Sequence, residues 1–191
     1  MKKYLKFIII AVCMVALILG YYFYLSHRKS VDDIEENTTK VTQVQKLLGH
    51  NIAANYPPTP REVAKLYADI TVAFYTEEYT DEELNGLAMQ LRELMDTELL
   101  DANPVGSYIS SLKFEISSYK SQNIAFSSYS TSAPTDVDYF KKDGRDCARI
   151  HIFFTAKSGV ETGLIDEVFI MRKDDRGHWK IYGWKKVKDE N

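Results

Sequence analysis

An uninterrupted apolar run near the N-terminus constrains this chain more than any other feature. Residues 7–25 read FIIIAVCMVALILGYYFYL and carry no charge. As an α-helix, these 19 residues would span roughly 28 Å, close to the ~30 Å hydrocarbon core of a bilayer. Tyr21, Tyr22 and Tyr24 lie at the distal end of the run, where aromatic rings favour the headgroup level. We therefore predict that residues 1–25 form a cytoplasmic tip and a transmembrane helix.

Two other N-terminal signals also contain apolar runs. A cleaved signal peptide usually has about 7–15 apolar residues before a small-x-small site. The run is longer here, and its nearest such site, Ile18-Leu19-Gly20, begins with a bulky residue. A lipoprotein signal needs a cysteine at the end of the run, whereas Cys13 lies in its middle. The run favours an uncleaved anchor and leaves cleavage open.

The basic residues on either side of the run predict its orientation. Lys2, Lys3 and Lys6 precede it, and Arg28 and Lys29 follow it. Since basic residues are retained in the cytoplasm, this small difference places the N-terminus inside. We expect a single-pass protein of the cell membrane, with an extracytoplasmic C-terminal domain.

Charge and cysteine content exclude two classes of protein. Beyond residue 25 the chain has 21 basic and 27 acidic residues, which excludes a strongly basic nucleic-acid binder. Cys13 and Cys147 are the two cysteines, and the predicted topology separates them. A small disulfide-stapled fold is therefore excluded as well.

Residues 26–56 are predicted to form a stalk. Its first part is polar, and Val41, Val44, Leu47 and Leu48 then recur at helical spacing before Gly49. This pattern indicates one short helix between the membrane and a domain that comprises residues 57–191.

Three amphipathic helices are predicted to open that domain. The first begins at Thr59-Pro60, and the second at Thr80, with Glu83 completing a capping box. The third follows Asn103-Pro104. Short breaks between the three patterns favour helices that pack side by side.

The pattern changes to strands after about residue 122. Residues 124–132 alternate weakly, residues 131–144 look like a loop, and residues 148–156, 164–172 and 178–187 are rich in β-forming residues. Helices followed by a meander indicate an α+β class. The full expectation is an N-terminal transmembrane helix, a short helical stalk, then three helices packed on a curved antiparallel sheet of about four strands.

Alternation along the strands predicts which residues share a face. The side expected to meet the helices carries Ile150, Ile152, Phe154, Val168, Ile170, Trp179 and Ile181. The opposite side carries His151, Phe153, Ile165, Glu167, Phe169, Met171, Lys180, Tyr182 and Trp184. This second set is too apolar for a simple solvated face, so we expect a partner or a partial pocket there.

The order of these elements resembles the nuclear-transport-factor-2-like (cystatin-like) cone domain. The closing segment EVFIMRKDDRGHWKIYGWKKV, residues 167–187, is similar to the final hairpin of that fold. Residues 55–104 more closely resemble an uncharacterised family of bacterial single-pass membrane-anchored proteins. The cone superfamily includes isomerases, dehydratases, binding modules and envelope-assembly domains, so the resemblance implies a fold and leaves the function open.

Five polar residues of the strands are the candidates for a catalytic base in a cone cavity. They are His151, Asp166, Glu167, Lys180 and Tyr182. A buried His151 or Glu167 could act as a general base. His151, Glu167 and Lys180 could instead be cross-strand partners on a wet face. We predict no catalytic residue, and keep His151 and Glu167 as weak candidates.

No metal or other cofactor is expected. The acidic residues Glu77, Glu78, Asp81, Glu82 and Glu83 lack the spacing of a calcium loop, and a helix dipole explains their position. The four histidines lack zinc spacing.

These observations favour a membrane-anchored, non-enzymatic binding or interaction module of the bacterial cell envelope. Its expected partners are the lipid bilayer, through residues 7–25, and an envelope protein or a second copy of itself. One alternative is a cavity-based isomerase or hydrolase-like enzyme. Another is a structural assembly subunit with Phe153, Phe169 and Trp184 as its oligomer surface.

Overall fold

The computed structural model describes residues 41–187. From Thr42 onward the chain belongs to one compact unit. The apolar segment 7–25 and residues 26–40 lie outside the described residues. None of the helices in residues 41–187 combines the length and the apolar character that crossing a bilayer requires.

The described chain has an α+β fold in which five helices precede a five-stranded antiparallel sheet. The helices are α1 Gln43–Leu48, α2 Pro60–Thr76, α3 Asp81–Glu93, α4 Thr97–Ala102 and α5 Val105–Ser121. The strands are β1 Ile124–Thr131, β2 Asp138–Lys142, β3 Arg145–Ser158, β4 Glu161–Lys173 and β5 Trp179–Lys186.

Side-chain caps fix where the main helices begin. The Thr59 side chain accepts a hydrogen bond from the Glu62 amide, and Pro60 occupies the first turn of α2. At α3, Thr80 accepts from the Glu83 amide at 3.2 Å, while the Glu83 carboxyl accepts from the Thr80 amide at 2.8 Å. These caps satisfy amides that have no partner within the helix, as the sequence predicted.

The sheet is centred on its two longest strands. Its order is β1-β3-β4-β5, and β2 pairs with the other half of β3. A two-residue turn joins β2 to β3, and both Asp143 and Gly144 have positive φ angles there, of 51° and 76°. That conformation is typical of tight hairpins, whose twist matches the flanking strands.

The core lies between α2 and one face of the sheet, which we call the inner face. Ile150, Ile152 and Phe154 of β3 are buried on this face, with Phe169 of β4. Tyr67 of α2 packs edge-on against Phe169, with ring centroids 5.0 Å apart. The helices therefore cover the inner face and leave the outer face of the sheet to carry polar side chains.

The predicted fold class was wrong in its elements. The described residues contain five helices, because α4 forms after Asp96, whose carboxyl accepts from the Glu98 amide. They contain five strands, because β2 lies within residues 131–144, which were predicted to be a loop. Both elements have six or fewer residues, which is too short for a periodic signal.

Helix α1 packs into the domain core, whereas we expected it in a stalk. Val44 is fully buried and Leu47 nearly so. A Cβ built on Gly86 of α3 would lie 2.7 Å from the Leu48 side chain. The glycine therefore allows α1 to approach α3 closely.

The predicted faces of β4 were also wrong. Side chains directly opposite each other share a face, and Ile150 pairs with Phe169 while Ile152 pairs with Glu167. Phe169 therefore lies inside, where it is fully buried. The pairing of β4 with β5 shifts register at Tyr182. As a result Trp184 lies on the inner face, where its ring stacks on that of Phe169.

Candidate functional site

A cavity of about 240 Å³ lies between α2, α5 and the inner face of the sheet. We call it the aromatic cavity. The residues that line it are Tyr67, Thr71, Phe74, Tyr75, Leu91, Asn103, Tyr108, Ser111, Leu112, Glu115, Tyr119, Phe126, Phe154, Glu167 and Trp184. Eight of them are aromatic, two are acidic, and none of them is lysine or arginine.

Helical spacing places the lining side chains of α2 and of α5 on the side of each helix that faces this cavity. Tyr67, Thr71 and Tyr75 are four residues apart along α2 and share one side of it, as residues at i and i+4 do. Tyr108, Glu115 and Tyr119 recur at helical spacing along α5. The cavity is therefore walled by two helical stripes and floored by the sheet.

The aromatic rings hold one another in place. Tyr75 packs edge-on against Phe126, with centroids 4.8 Å apart, and Phe126 stacks on Phe154 at 5.2 Å. At the other end, Phe169 stacks on Trp184 at 5.7 Å. Such pairs stabilise a fixed arrangement by about 0.5–1.5 kcal/mol each beyond their burial. The wall is therefore formed before any ligand arrives.

Glu167 is the acidic group on the floor of the cavity. Burial raises the pKa of its carboxyl, and the nearby Glu115 and Asp166 act in the same direction. Lys186, opposite Glu167 on β5, partly opposes this rise in the pKa. An enclosed acid beside a second one favours either a proton or a cationic partner.

Burial keeps the hydroxyls of three cavity tyrosines protonated by raising their pKa values. Burial raises the pKa of Tyr108 to about 12, even though the nearby Arg92 opposes the rise. Burial likewise raises the pKa of Tyr67 and of Tyr75 above the ordinary tyrosine value. These groups therefore offer hydrogen-bond donors and neutral ring faces to a ligand.

The profile of the family described as Domain of unknown function (DUF6715) matches residues 1–184. The chain belongs to this family. No curated protein shows a significant match to the chain. Membership in DUF6715 carries no assigned activity, so the residues themselves must supply the argument about function.

The two weak catalytic candidates of this DUF6715 member lie on opposite faces of the sheet. His151 pairs with Val168 across β3 and β4, while its neighbour Ile152 pairs with Glu167. Adjacent residues of a strand point to opposite faces, so Glu167 faces the aromatic cavity and His151 faces outward. The prediction that both share one face was wrong, and they do not form a joint site.

His151 instead pairs with Asp166 on the outer face. Its Nδ1 lies 2.8 Å from the Asp166 Oδ1, and its ring stacks on Phe153. The His151 backbone amide donates to the Ser132 hydroxyl at 3.1 Å. His151 therefore has a cross-strand partner, but it is Asp166 and neither Glu167 nor Lys180, the partners that the sequence suggested.

Lys180 and Tyr182 have structural contacts outside the cavity. The Lys180 ammonium donates to the Glu93 backbone carbonyl at 2.7 Å and lies over the ring of Tyr56. Tyr182 lies beneath the guanidinium of Arg172, at 4.3 Å. Neither residue is among those that line the aromatic cavity.

Two of the acidic residues in the first turn of α3 have partners. Glu83 completes the cap of α3, and Asp81 forms an ion pair with Lys113 at 2.9 Å. Within residues 41–187, no group of three or more histidine, cysteine or acidic residues is arranged to hold a metal ion.

Sequence reasoning missed the tyrosines that define the cavity. Tyr67 was assigned to the apolar stripe of α2, and neither Tyr75 nor Tyr108 was singled out. The available signal was a second stripe of tyrosines, displaced from the apolar one on the same helices. Tyrosines suit a cavity wall, because the apolar ring packs against the core and the hydroxyl remains available for a hydrogen bond.

Proposed function

We propose that this protein is a membrane-attached, non-enzymatic binding module of the bacterial envelope, whose aromatic cavity binds a small organic cation. The composition of the cavity wall carries the proposal. Eight aromatic residues and two glutamates line it, without a lysine or arginine among the lining residues. The side chains that line the cavity therefore favour positive charge, although Lys186 lies opposite Glu167 on the neighbouring strand.

The physical basis is the charge distribution of an aromatic ring. The negative face of the ring attracts an ammonium group, by about 0.5–2 kcal/mol per contact, and several rings together form a cage. Glu167 and Glu115 add their carboxyl groups to the same wall. A quaternary or protonated amine would therefore exchange its hydration shell for rings and carboxyl oxygens.

The size of the cavity limits the ligand. About 240 Å³ is below the roughly 300–1,000 Å³ of pockets that hold drug-sized molecules. A compound of the size of choline fits this limit better than a peptide or a nucleotide.

Binding is better supported than catalysis. A general base usually works with a second group placed for the proton's return or for the developing charge. His151 would have been that second group, and it lies across the sheet from Glu167. The assembly alternative also loses support, since Phe169 is fully buried and Phe153 faces away from Trp184.

The proposed attachment to the membrane rests on residues 7–25. Their length and lack of charge fit a bilayer, and the basic residues before them favour an extracytoplasmic domain. The resemblance to the cone fold, in which a sheet and helices enclose a cavity, supports a ligand-binding role for the domain.

A titration with choline and its uncharged isostere 3,3-dimethyl-1-butanol tests the proposed function. The full-length chain is held in neutral detergent, and the fluorescence of the two tryptophans is followed, because Trp184 lines the cavity. We expect saturable binding of choline and at least about tenfold weaker binding of the alcohol. Equal binding of the two compounds, or none by choline, contradicts the proposal.

A pair of variants assigns that binding to the cavity. Glu167→Gln is expected to weaken choline binding at least about fivefold, because it removes the carboxyl from the cavity floor. Glu161→Gln is the matched control, since Glu161 lies exposed at the start of the same strand. Equal losses in both variants would show that general surface charge is responsible.

Protease digestion of intact cells tests the attachment and its orientation. An extracytoplasmic domain is cleaved by added protease without opening the cells. A domain that is protected until the membrane is broken contradicts the proposed topology.

A further inference from the structure

The outer face of the sheet carries a second and larger concavity, of about 540 Å³. We call it the outer groove. The residues that line it are Glu98, Phe140, Lys142, Asp143, Arg145, Cys147, Arg149, Ile170, Arg172 and Tyr182. Four of these side chains are basic and two are acidic, which is the reverse of the balance in the aromatic cavity.

Two of the basic residues form a like-charge pair. Lys142 and Arg145 lie directly opposite each other on β2 and β3. Neither forms an ion pair with any of the residues described in the structure. Like charges at directly opposed positions destabilise a sheet. Arg145 offsets part of this cost, since it is one of the charges that lower the pKa of Asp96.

The turn between the strands fixes this pair. Asp143 and Gly144 form the tight connection with positive φ. This connection fixes the backbone positions of Lys142 and Arg145 at the end of the hairpin. The turn therefore fixes where the two cations are attached, while their exposed side chains keep their rotamer freedom.

The far wall of the groove is rigid and locally neutralised. Arg172 donates to both carboxylate oxygens of Asp96, at 2.7 and 2.5 Å, and to Glu98 at 2.7 Å. Its side chain is 13% exposed, and that of Asp96 only 3%. Arg149 is also paired, with Asp138 at 3.0 Å, at an exposed position. The positive charge that no ion pair neutralises is therefore at Lys142 and Arg145, with the exposed Asp143 in the turn between them.

The floor of the groove is apolar. Phe140, Ile170 and Tyr182 contribute to it, and Arg149 lies over the ring of Phe140, at 5.7 Å. A ligand that used only the two cations would leave this floor in water. The groove therefore fits an anion attached to an aromatic or apolar group.

We propose that the outer groove binds a phosphate monoester of an aromatic or apolar compound. The phosphate would lie between Lys142 and Arg145, because Arg binds phosphate oxygens in pairs and Lys adds a point charge. The organic group would lie against Ile170 and against the parts of Phe140 and Tyr182 that Arg149 and Arg172 leave uncovered. Two like charges at one end and rings at the other match a doubly charged head on an apolar body better than they match a single carboxylate.

Titration of the full-length chain in neutral detergent with phenyl phosphate tests this site. Isothermal titration calorimetry is expected to show saturable binding of phenyl phosphate, weaker binding of inorganic phosphate, and no binding of phenol. Phenol binding as tightly as phenyl phosphate, or no saturable binding of phenyl phosphate, overturns the proposal.

Variants locate the binding within the groove. Lys142→Ala combined with Arg145→Ala is expected to weaken phenyl phosphate binding at least about tenfold. Lys157→Ala is the matched control, because Lys157 is an exposed cation of the same strand outside the groove, and it should change the affinity less than about twofold. Equal losses in both proteins overturn the proposal. Both substituted positions are exposed, and circular dichroism confirms that each variant is folded.

One further titration distinguishes a lipid phosphate from a soluble one. Another distinguishes binding in the outer groove from binding in the aromatic cavity. Tighter binding of the soluble lipid dihexanoyl phosphatidic acid than of phenyl phosphate assigns the phosphate to a lipid headgroup, and weaker binding assigns it to a soluble compound. Either result supports a phosphate monoester site. Choline binding should be unchanged in the Lys142→Ala, Arg145→Ala protein, since the aromatic cavity lies on the other face of the sheet.

Discussion

The guanidinium of Arg172 donates hydrogen bonds to both carboxylate oxygens of Asp96, with nitrogen–oxygen distances of 2.7 and 2.5 Å. Asp96 lies between α3 and α4, and Arg172 lies near the end of β4. The Asp96 amide also donates to the Ile181 carbonyl at 2.8 Å, and the Ile181 amide donates to the Leu94 carbonyl at 2.8 Å. The short segment between α3 and α4 is therefore hydrogen-bonded to both β4 and β5.

Removing one partner of this ion pair should destabilise the domain strongly. Arg172→Met leaves the Asp96 carboxylate buried without its ionic partner, and Asp96→Asn leaves the guanidinium with only the exposed Glu98 as an ion-pair partner. We expect each to lower the free energy of unfolding by about 3–5 kcal/mol. Urea denaturation measures it, and the double variant should lose less than the sum of the two. Additive losses would contradict a direct pair.

The same pair predicts a loss of stability in acid. Burial disfavours the ionised Asp96, yet the hydrogen bonds from Arg172 and from the Glu98 amide outweigh it and hold the pKa of Asp96 below its usual value. Because the pKa is lower in the folded protein, the stabilisation is complete above the unfolded-state pKa of about 4 and is lost as the pH falls through the folded-state value. Asp96→Asn should flatten this acid limb in denaturation curves measured from pH 6 downward.

Glu167 should have the opposite pH dependence. Burial raises the pKa of its carboxyl, so its favourable contribution is present below the unfolded-state pKa of about 4.3 and is lost as the pH rises through the folded-state value. Glu167→Gln should therefore raise the melting temperature at pH 7, with a smaller gain at pH 4. No gain at pH 7, or an equal gain at both pH values, would contradict the burial argument. Glu161→Gln is the exposed control.

The like-charge pair of the β2–β3 hairpin predicts a stabilising substitution. Lys142→Glu places opposite charges at directly opposed positions, and should raise the free energy of unfolding by roughly 0.2–1 kcal/mol. Lys142→Gln removes the repulsion alone and should give a smaller gain. Thermal denaturation at low and at high salt checks the cause, because screening should reduce the gain. A gain that does not respond to salt would have another origin.

Gln90 should hold α1 against the domain. Its side-chain amide donates to the carbonyls of Leu47 at 2.8 Å, Leu48 at 3.3 Å and His50 at 3.2 Å. Gln90→Ala leaves these helix-end carbonyls without that donor, at a cost of about 1–3 kcal/mol. Hydrogen exchange should accelerate in residues 43–52, with little change in β3. Met89→Ala, at an exposed neighbouring position, should leave both regions unchanged.

Predictions from local signals succeeded where a few adjacent residues decide the structure. The caps at Thr59 and Thr80 were identified from the sequence and are present, because a capping hydrogen bond joins residues two or three positions apart. Helix α4 and strand β2 were missed. The cap residue of α4, Asp96, is held by the distant Arg172. Strand β2 pairs with the adjacent β3, but its five residues are too few for a periodic signal.

The candidate site was less predictable than the helices. Alternation correctly places neighbouring residues of a strand on opposite faces, but it does not show which of the two sets faces inward. In β4 the apolar Val168 and Ile170 favoured the wrong set. The register of β3 against β4 and the shift at Tyr182 decided it. As a result Glu167 is in the cavity and His151 is outside, while the cavity tyrosines come from helices whose main apolar stripes had been assigned to the core.

The sequence alone determined the apolar run, its basic flank, the helix caps and the succession of helices and strands, because each depends on the type and spacing of nearby residues. The tertiary structure decided what shares a face, a cavity or an ion pair. Those relations join residues far apart along the chain, such as Asp96 with Arg172 and Tyr67 with Phe169. Packing and strand register fix them, and a one-residue change in register reverses every side chain of a strand.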